Sequence, residues 1–82
     1  MKKSEIIQSL EQGITTEILN LPHTKIEPGE PIISSGLIDS FSLVDLAIFI
    51  EDRFNVRIDD TELNSDTFDT LNQLAEIIIA RM

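Results

Sequence analysis

The stretch GLIDSFSLVDLAIFIEDRF, Gly36–Phe54, decides the fold. From Asp39 or Ser40 to about Phe54 its apolar residues recur at helical spacing. Asp39 suits the N-cap, because its carboxylate accepts from N–H groups near Phe41 and Ser42 and complements the positive helix end. Asn55 offers a stop at the other end.

At roughly 100° per residue, this helix has two apolar sides instead of one stripe. Leu43, Leu46, Ala47, Ile50 and Phe54 cluster on one side and form the expected core face. Phe41, Val44 and Ile48 fall on another side, beside Asp45 and Asp52, with Glu51 flanking Val44. An apolar triplet edged by carboxylates has the make-up of a protein-docking surface, a small hot spot with a charged rim. The competing reading packs the preceding loop over the triplet and makes it core. For Phe41 both readings stand; Val44 and Ile48 are expected to be partly exposed. Phe49 falls between the faces and is assigned to neither.

Outward from this segment, Ser4 to about Leu19 reads as a first helix, with Ile6, Ile7, Leu10, Ile14 and Ile18 on one stripe. Ser4 is its expected N-cap and Pro22 its stop signal. Gly13 costs such a helix about 1 kcal/mol relative to alanine. The connection NLPHTKIEPGEPIISSG, residues 20–36, cannot be helical, since Pro28 and Pro31 each remove a donor and clash with the preceding turn. Leu21, Ile26, Ile32, Ile33, Leu37 and Ile38 are expected to pin it across the core as an ordered crossover.

Beyond Asn55, VRIDDTEL reads as a short extended piece and one helical turn near Asp60 to Leu63. The last helix starts at about Thr70, where Thr70 and Gln73 make a capping-box pattern. Leu71, Leu74, Ile77 and Ile78 supply its core face. The predicted fold is all-α: a small four-helix bundle of three main helices and one short one, with a long loop between the first two. Residues 1–82 are expected to form a single domain.

Fifteen acidic residues against six basic ones give a net charge of −9. The segment Asp39–Asp69 holds nine of the acids against Arg53 and Arg57, so −7 of that charge is concentrated there. Such a surface repels phosphate backbones, which argues against nucleic acid as a partner, and it attracts proteins with basic patches. The plainer reading of the same acids is a solvated face. Apolar runs are too short to span a bilayer and no signal-peptide core follows the N-terminal lysines, so a cytoplasmic protein with no membrane insertion is expected. There is no cysteine, which fits a reducing compartment.

Ser40 opens the second helix, and no activating base is apparent for it. The sole histidine, His23, lies in the proline-rich loop; there is no lysine beside the serine and no Gly-x-Ser-x-Gly elbow. The acidic tract from Asp59 to Asp69 lacks the glycine and ligand register of an EF-hand loop. Serine as a passive acceptor survives this elimination better than serine as a nucleophilic catalyst, so no catalytic residue is assigned.

Here GLIDSFSLVDLAIFIEDRF resembles the acyl carrier protein family, whose signature is an aspartate-serine-leucine element opening the second of four helices. The resemblance spans essentially the whole chain in length, acidity and helix order. It implies that Ser40 receives a covalent 4′-phosphopantetheine arm derived from coenzyme A, with Asp39 as the signature aspartate. It also implies that Phe41, Val44, Asp45, Ile48, Glu51 and Asp52 form the partner-docking face. The implied function is a freestanding, non-catalytic carrier that holds acyl or aminoacyl groups as thioesters on that arm. Implied partners are a phosphopantetheinyl transferase, an acyl- or aminoacyl-activating ligase, and acyltransferase or synthase enzymes with basic docking patches. A monomer is expected. Phe41 replaces the usual leucine, a variant more similar to D-alanyl and other aminoacyl carriers than to fatty-acid carriers, and Ser42 stands where fatty-acid carriers often have an acidic residue, which removes one charge from the docking edge. The alternative is an acidic helical adaptor that keeps the carrier fold without the arm.

Overall fold

A computed structural model describes residues 2–21 and 23–82. Three α-helices carry the fold: α1 (Lys3–Gly13), α2 (Ser42–Phe54) and α3 (Leu71–Arg81). A 3₁₀ turn at Asp60–Glu62 is the expected short fourth element, and no strand occurs among the described residues. The all-helical fold read from the sequence is the one observed.

The buried faces follow the helical periodicity. Ile6, Leu10 and Ile14 from the first helical segment meet Leu43, Leu46, Ile50 and Phe54 of α2 and Leu71, Leu74, Ala75 and Ile78 of α3 in one core. Ile7, Ile18, Ala47 and Ile77 pack at its edge, half-buried. Phe68, Val56 and Ile58, from the connections, complete it.

Two expectations for the first helix are corrected. Ser4 is not its N-cap: the helix begins at Lys3, and the Glu5 carboxylate satisfies the Lys2 N–H at 2.9 Å, so Ser4 already lies in the first turn. Nor does the α-helix run to Leu19. It widens after Gly13 into a π-turn, Ile14–Ile18, closed by the Leu19 N–H on the Ile14 carbonyl at 2.8 Å. Thr15, which is buried, and Thr16 donate their hydroxyls to the Glu11 and Gln12 carbonyls, at 2.8 and 2.6 Å, competing there with the main-chain ladder. Pro22, read as the stop signal, lies outside the described residues.

Gly13 has a purpose that helix propensity does not disclose. The Phe49 ring rests against it so closely that a Cβ built at position 13 would lie 2.1 Å from the ring's far carbon. Phe49, unassigned on the helical wheel, is therefore core, 9 % exposed, and α1 and α2 meet at this glycine.

The crossover is an ordered strap. Ile26, Ile32 and Ile38 are buried, and Ile33 and Leu37 half-buried, as expected of a pinned loop. Leu21 departs from this and stands 51 % exposed, because the strap turns inward only beyond it. Its polar ties are specific. The Ile26 N–H donates to the Glu11 carboxylate at 2.8 Å, and the Asn72 N–H to the Pro28 carbonyl at 3.0 Å. Asp69 accepts from the Ile33 and Ser34 N–H groups at 2.8 and 2.9 Å and from the Ser34 hydroxyl at 2.5 Å. Hydrogen bonds from the Ser34 hydroxyl, then from its N–H, hold the Asp69 carboxyl below its usual range.

At the other end, Thr70 caps α3 by accepting from the Gln73 N–H at 3.1 Å. The reciprocal half of the expected capping box is displaced by one residue: the Gln73 side chain accepts from Asp69 N–H at 2.7 Å. Arg81 in the last turn of α3 forks onto both carboxylate oxygens of Glu62 and donates to the Arg57 carbonyl at 3.1 Å.

The Glu62 carboxyl is consequently lowered from 4.5 to about 2, first by Arg81 and then by the Asp59 N–H. A folded-state value below the unfolded one means that this pairing stabilises the fold fully above about pH 4.5 and is lost as pH falls toward 2. Thermal melting across that interval is expected to show a shallower decline with acid for Glu62→Gln than for the unaltered chain. Parallel curves would show that the pair contributes nothing.

Candidate functional site

The site is built at the entry to α2. The Asp39 carboxylate accepts from the Ser42 N–H at 2.8 Å, while the Asp39 carbonyl accepts from Ser42 and Leu43 N–H groups at 3.1 and 3.2 Å. Ser40 and Phe41 thus form a tight turn, and the regular helix begins at Ser42 instead of Asp39 or Ser40. Asp39 acts as the cap foreseen from the sequence. The Ser42 N–H, above all, holds its carboxyl below the ordinary range, so it stays ionised.

With the capping role taken by Asp39, the neighbouring Ser40 is exposed, and its hydroxyl makes no hydrogen bond among the described residues. His23 lies elsewhere, in a groove against Gln12, Thr15 and Thr16 of the first helical segment. The next residue, Phe41, is 87 % exposed, which decides between its two readings: the crossover does not cover it. Val44 and Ile48 are 50 % and 54 % exposed, as expected. Phe41, Val44 and Ile48 follow one another at helical spacings of three and four, with Asp45, Glu51 and Asp52 exposed on the same helix.

None of these three acids is in an ion pair; among the described residues the pairs are Lys3–Glu76 and Glu62–Arg81. The far end of α2 is closed by Asn55 in a left-handed conformation (φ 58°), whose N–H donates to the Glu51 carbonyl at 2.9 Å.

The structure adds residues that sequence reasoning did not place near this face. Glu17 and Ile18, on the π-turn, line a groove of about 420 Å³ together with Asp45, Ile48, Phe49, Asp52 and Arg53 of α2. Ile18 belongs to the apolar stripe of the first helix, but no local pattern places it or Glu17 beside α2, because that approach depends on the widened turn and on the Gly13–Phe49 contact. Arg53 sits with its guanidinium carbon 5.2 Å from the centre of the Phe49 ring and donates to the Ser9 hydroxyl at 3.3 Å.

Comparison with known proteins bears on the same region. Residues 12–78 match the family described as phosphopantetheine attachment site. The chain is 36 % identical over 64 residues to a D-alanyl carrier protein of Bacillus pumilus (strain SAFR-032), covering 78 % of this chain and 82 % of the relative. It is 33 % identical over 79 residues to a D-alanyl carrier protein of Bacillus subtilis (strain 168), covering 92 % and 95 %. A D-alanyl carrier protein of Streptococcus sanguinis (strain SK36) is 26 % identical over 74 residues, covering 90 % and 86 %.

Proposed function

We propose, from the premise that this chain belongs to the phosphopantetheine-dependent carrier family, that Ser40 bears the arm and presents an aminoacyl group to partner enzymes. The protein is a non-catalytic carrier with a covalently attached 4′-phosphopantetheine. Bound, that group supplies a terminal thiol on which a carboxylic acid is held as a thioester.

The observation that carries the assignment is the turn at Asp39–Phe41. Asp39 occupies the capping position, which leaves the Ser40 hydroxyl exposed and without a hydrogen bond, and α2 offers its positive end to a phosphodiester there. These residues fit the group. Because the chain has no cysteine, no side-chain thiol competes for the cargo.

The D-alanyl cargo in the names of the relatives, together with Phe41 after the serine, supports a D-alanyl or similar small aminoacyl group. The exposed triplet Phe41, Val44 and Ile48, with Asp45, Glu51 and Asp52, supports a docking face for a transferase and an aminoacyl-activating ligase that carry basic residues. Among the described residues no helix is long and apolar enough to cross a membrane. In this reading the whole chain is one carrier domain that works as a monomer in the cytoplasm, where coenzyme A is available.

Incubation with coenzyme A and a broad-specificity phosphopantetheinyl transferase is expected to add the mass of one arm, with fragmentation locating it on Ser40. A chain that gains no mass, or gains it on another residue, overturns the assignment.

A further inference from the structure

We propose that the fold holds its lysine side chains at the end of the bundle remote from Ser40, so that cargo carried on the arm is not captured by the chain itself. This inference rests on the carrier reading given above.

A thioester is open to attack by an uncharged amine. The nitrogen bonds to the acyl carbon, the carbon–sulfur bond breaks, and the nitrogen's proton passes to the departing sulfur, which leaves as the arm's thiol. The amide that results is inert to the transfer that the arm supports. An amine tethered close to the thioester reacts at a far higher effective concentration than one across the molecule, so the placement of lysines matters.

Lys2, Lys3 and Lys25 are the only lysines, and no lysine, arginine, histidine or cysteine occurs from Ile26 to Asp52, the stretch that holds Ser40. α1 and α2 run antiparallel: Arg53 donates to Ser9, Phe49 packs on Gly13, and Glu17 and Ile18 share a groove with Asp45 and Ile48. Ser40 therefore lies at the Ile18 end of the first helical segment. Ser9 is level with Arg53, about 17 Å farther along α2 than Ser42. Lys2 and Lys3 stand beyond Ser9 at the start of α1, where Glu76 holds the Lys3 ammonium at 3.0 Å. The strap carries Lys25 back to Gln8 and Glu11, in the turn of α1 that includes Ser9. Ser34, Ser35 and Ser42 lie in the same stretch as Ser40, but a serine needs a base to attack, and the stretch supplies no histidine or lysine.

The test transfers an acetylated arm from acetyl-coenzyme A, with a broad-specificity phosphopantetheinyl transferase, to the unaltered chain, Phe41→Lys, Ser35→Lys and Gln8→Lys, and then removes the reagents. Phe41 and Ser35 are exposed, one next to Ser40 and the other on the strap before it; Gln8 is exposed beside Lys25 and matches them in added charge. Hydroxylamine strips thioesters and spares amides, so the acetyl mass that survives it measures capture. Capture is expected to be about tenfold faster in Phe41→Lys and Ser35→Lys than in Gln8→Lys or the unaltered chain, with fragmentation placing the acetyl group on the introduced amine. In those two variants it is expected to be about tenfold faster at pH 8 than at pH 7, as the uncharged fraction of the amine grows. If both capture acetyl no faster than Gln8→Lys, or if the unaltered chain captures it on its own lysines at the variants' rate, the placement protects nothing. If the unaltered chain gains no acetylated arm, which its mass shows before hydroxylamine is added, the carrier reading has failed and this inference falls with it.

Discussion

Gly13→Ala is expected to destabilise the fold by about 2–3 kcal/mol, although alanine is the better helix former by about 1 kcal/mol. The added methyl group would lie 2.1, 2.4 and 2.7 Å from three atoms at the far end of the Phe49 ring, well inside contact distance. That ring is part of the core and carries Arg53 on its face, so it cannot swing away without disturbing both helices. In a domain of this size the change corresponds to a fall in Tm of about 15 °C.

A double-mutant cycle separates the clash from other effects. Leucine at position 49 lacks the ring atoms that meet the new methyl group. Phe49→Leu alone loses packing, yet Gly13→Ala in the Phe49→Leu background is expected to be nearly neutral or stabilising. Equal penalties in both backgrounds, read from denaturant midpoints, would show that the contact is not the cause.

Ser40→Ala is expected to abolish arm attachment altogether while leaving Tm within about 3 °C of the unaltered chain, since it removes an exposed hydroxyl with no hydrogen bond. Intact mass after incubation with coenzyme A and transferase reads the first effect, and a thermal melt reads the second. Ser42 is the informative comparison. It lies two residues on, in the first turn of α2, but it is half-buried and its N–H is held by Asp39. Ser42→Ala should still take one arm. A gain of mass in Ser40→Ala, lost in Ser42→Ala, would move the attachment point to Ser42.

The second helix was legible because its determinants are local. Asp39 as a cap, Asn55 as a stop, and the separation of Leu43, Leu46, Ile50 and Phe54 from Val44 and Ile48 all follow from one turn of chain and the helical period. The order of helices and the pinning of Ile26, Ile32 and Ile38 were legible for the same reason: proline breaks the helix, and apolar residues seek the core.

Features that depend on distant partners were not. Phe49 sits between two faces on a wheel, and only the absence of a side chain 36 positions earlier makes room for its ring. Asp69 looks like one more acid in an acidic tract, yet its oxygens bind main-chain groups 35 and 36 residues away. Ser4 has the composition of a cap, but the Glu5 side chain satisfies the Lys2 N–H first. Glu17 joins the α2 face only because the helix widens just beyond Gly13.

The Asp69 clamp also bears on how this small protein breathes. Through it the strap a few residues upstream of Ser40 is bonded to the residue before the cap of α3. Local unfolding that frees Ile33 and Ser34 must break the hydrogen bonds that the Asp69 side chain accepts, so its cost is felt next to the start of the last helix, although the two lie far apart in the chain. The strap leading to the serine is thereby linked to the onset of α3, while the turn at Asp39–Phe41 has its own short-range hydrogen bonds. The bonds that shape the turn around Ser40 therefore do not depend on those that pin the strap behind it.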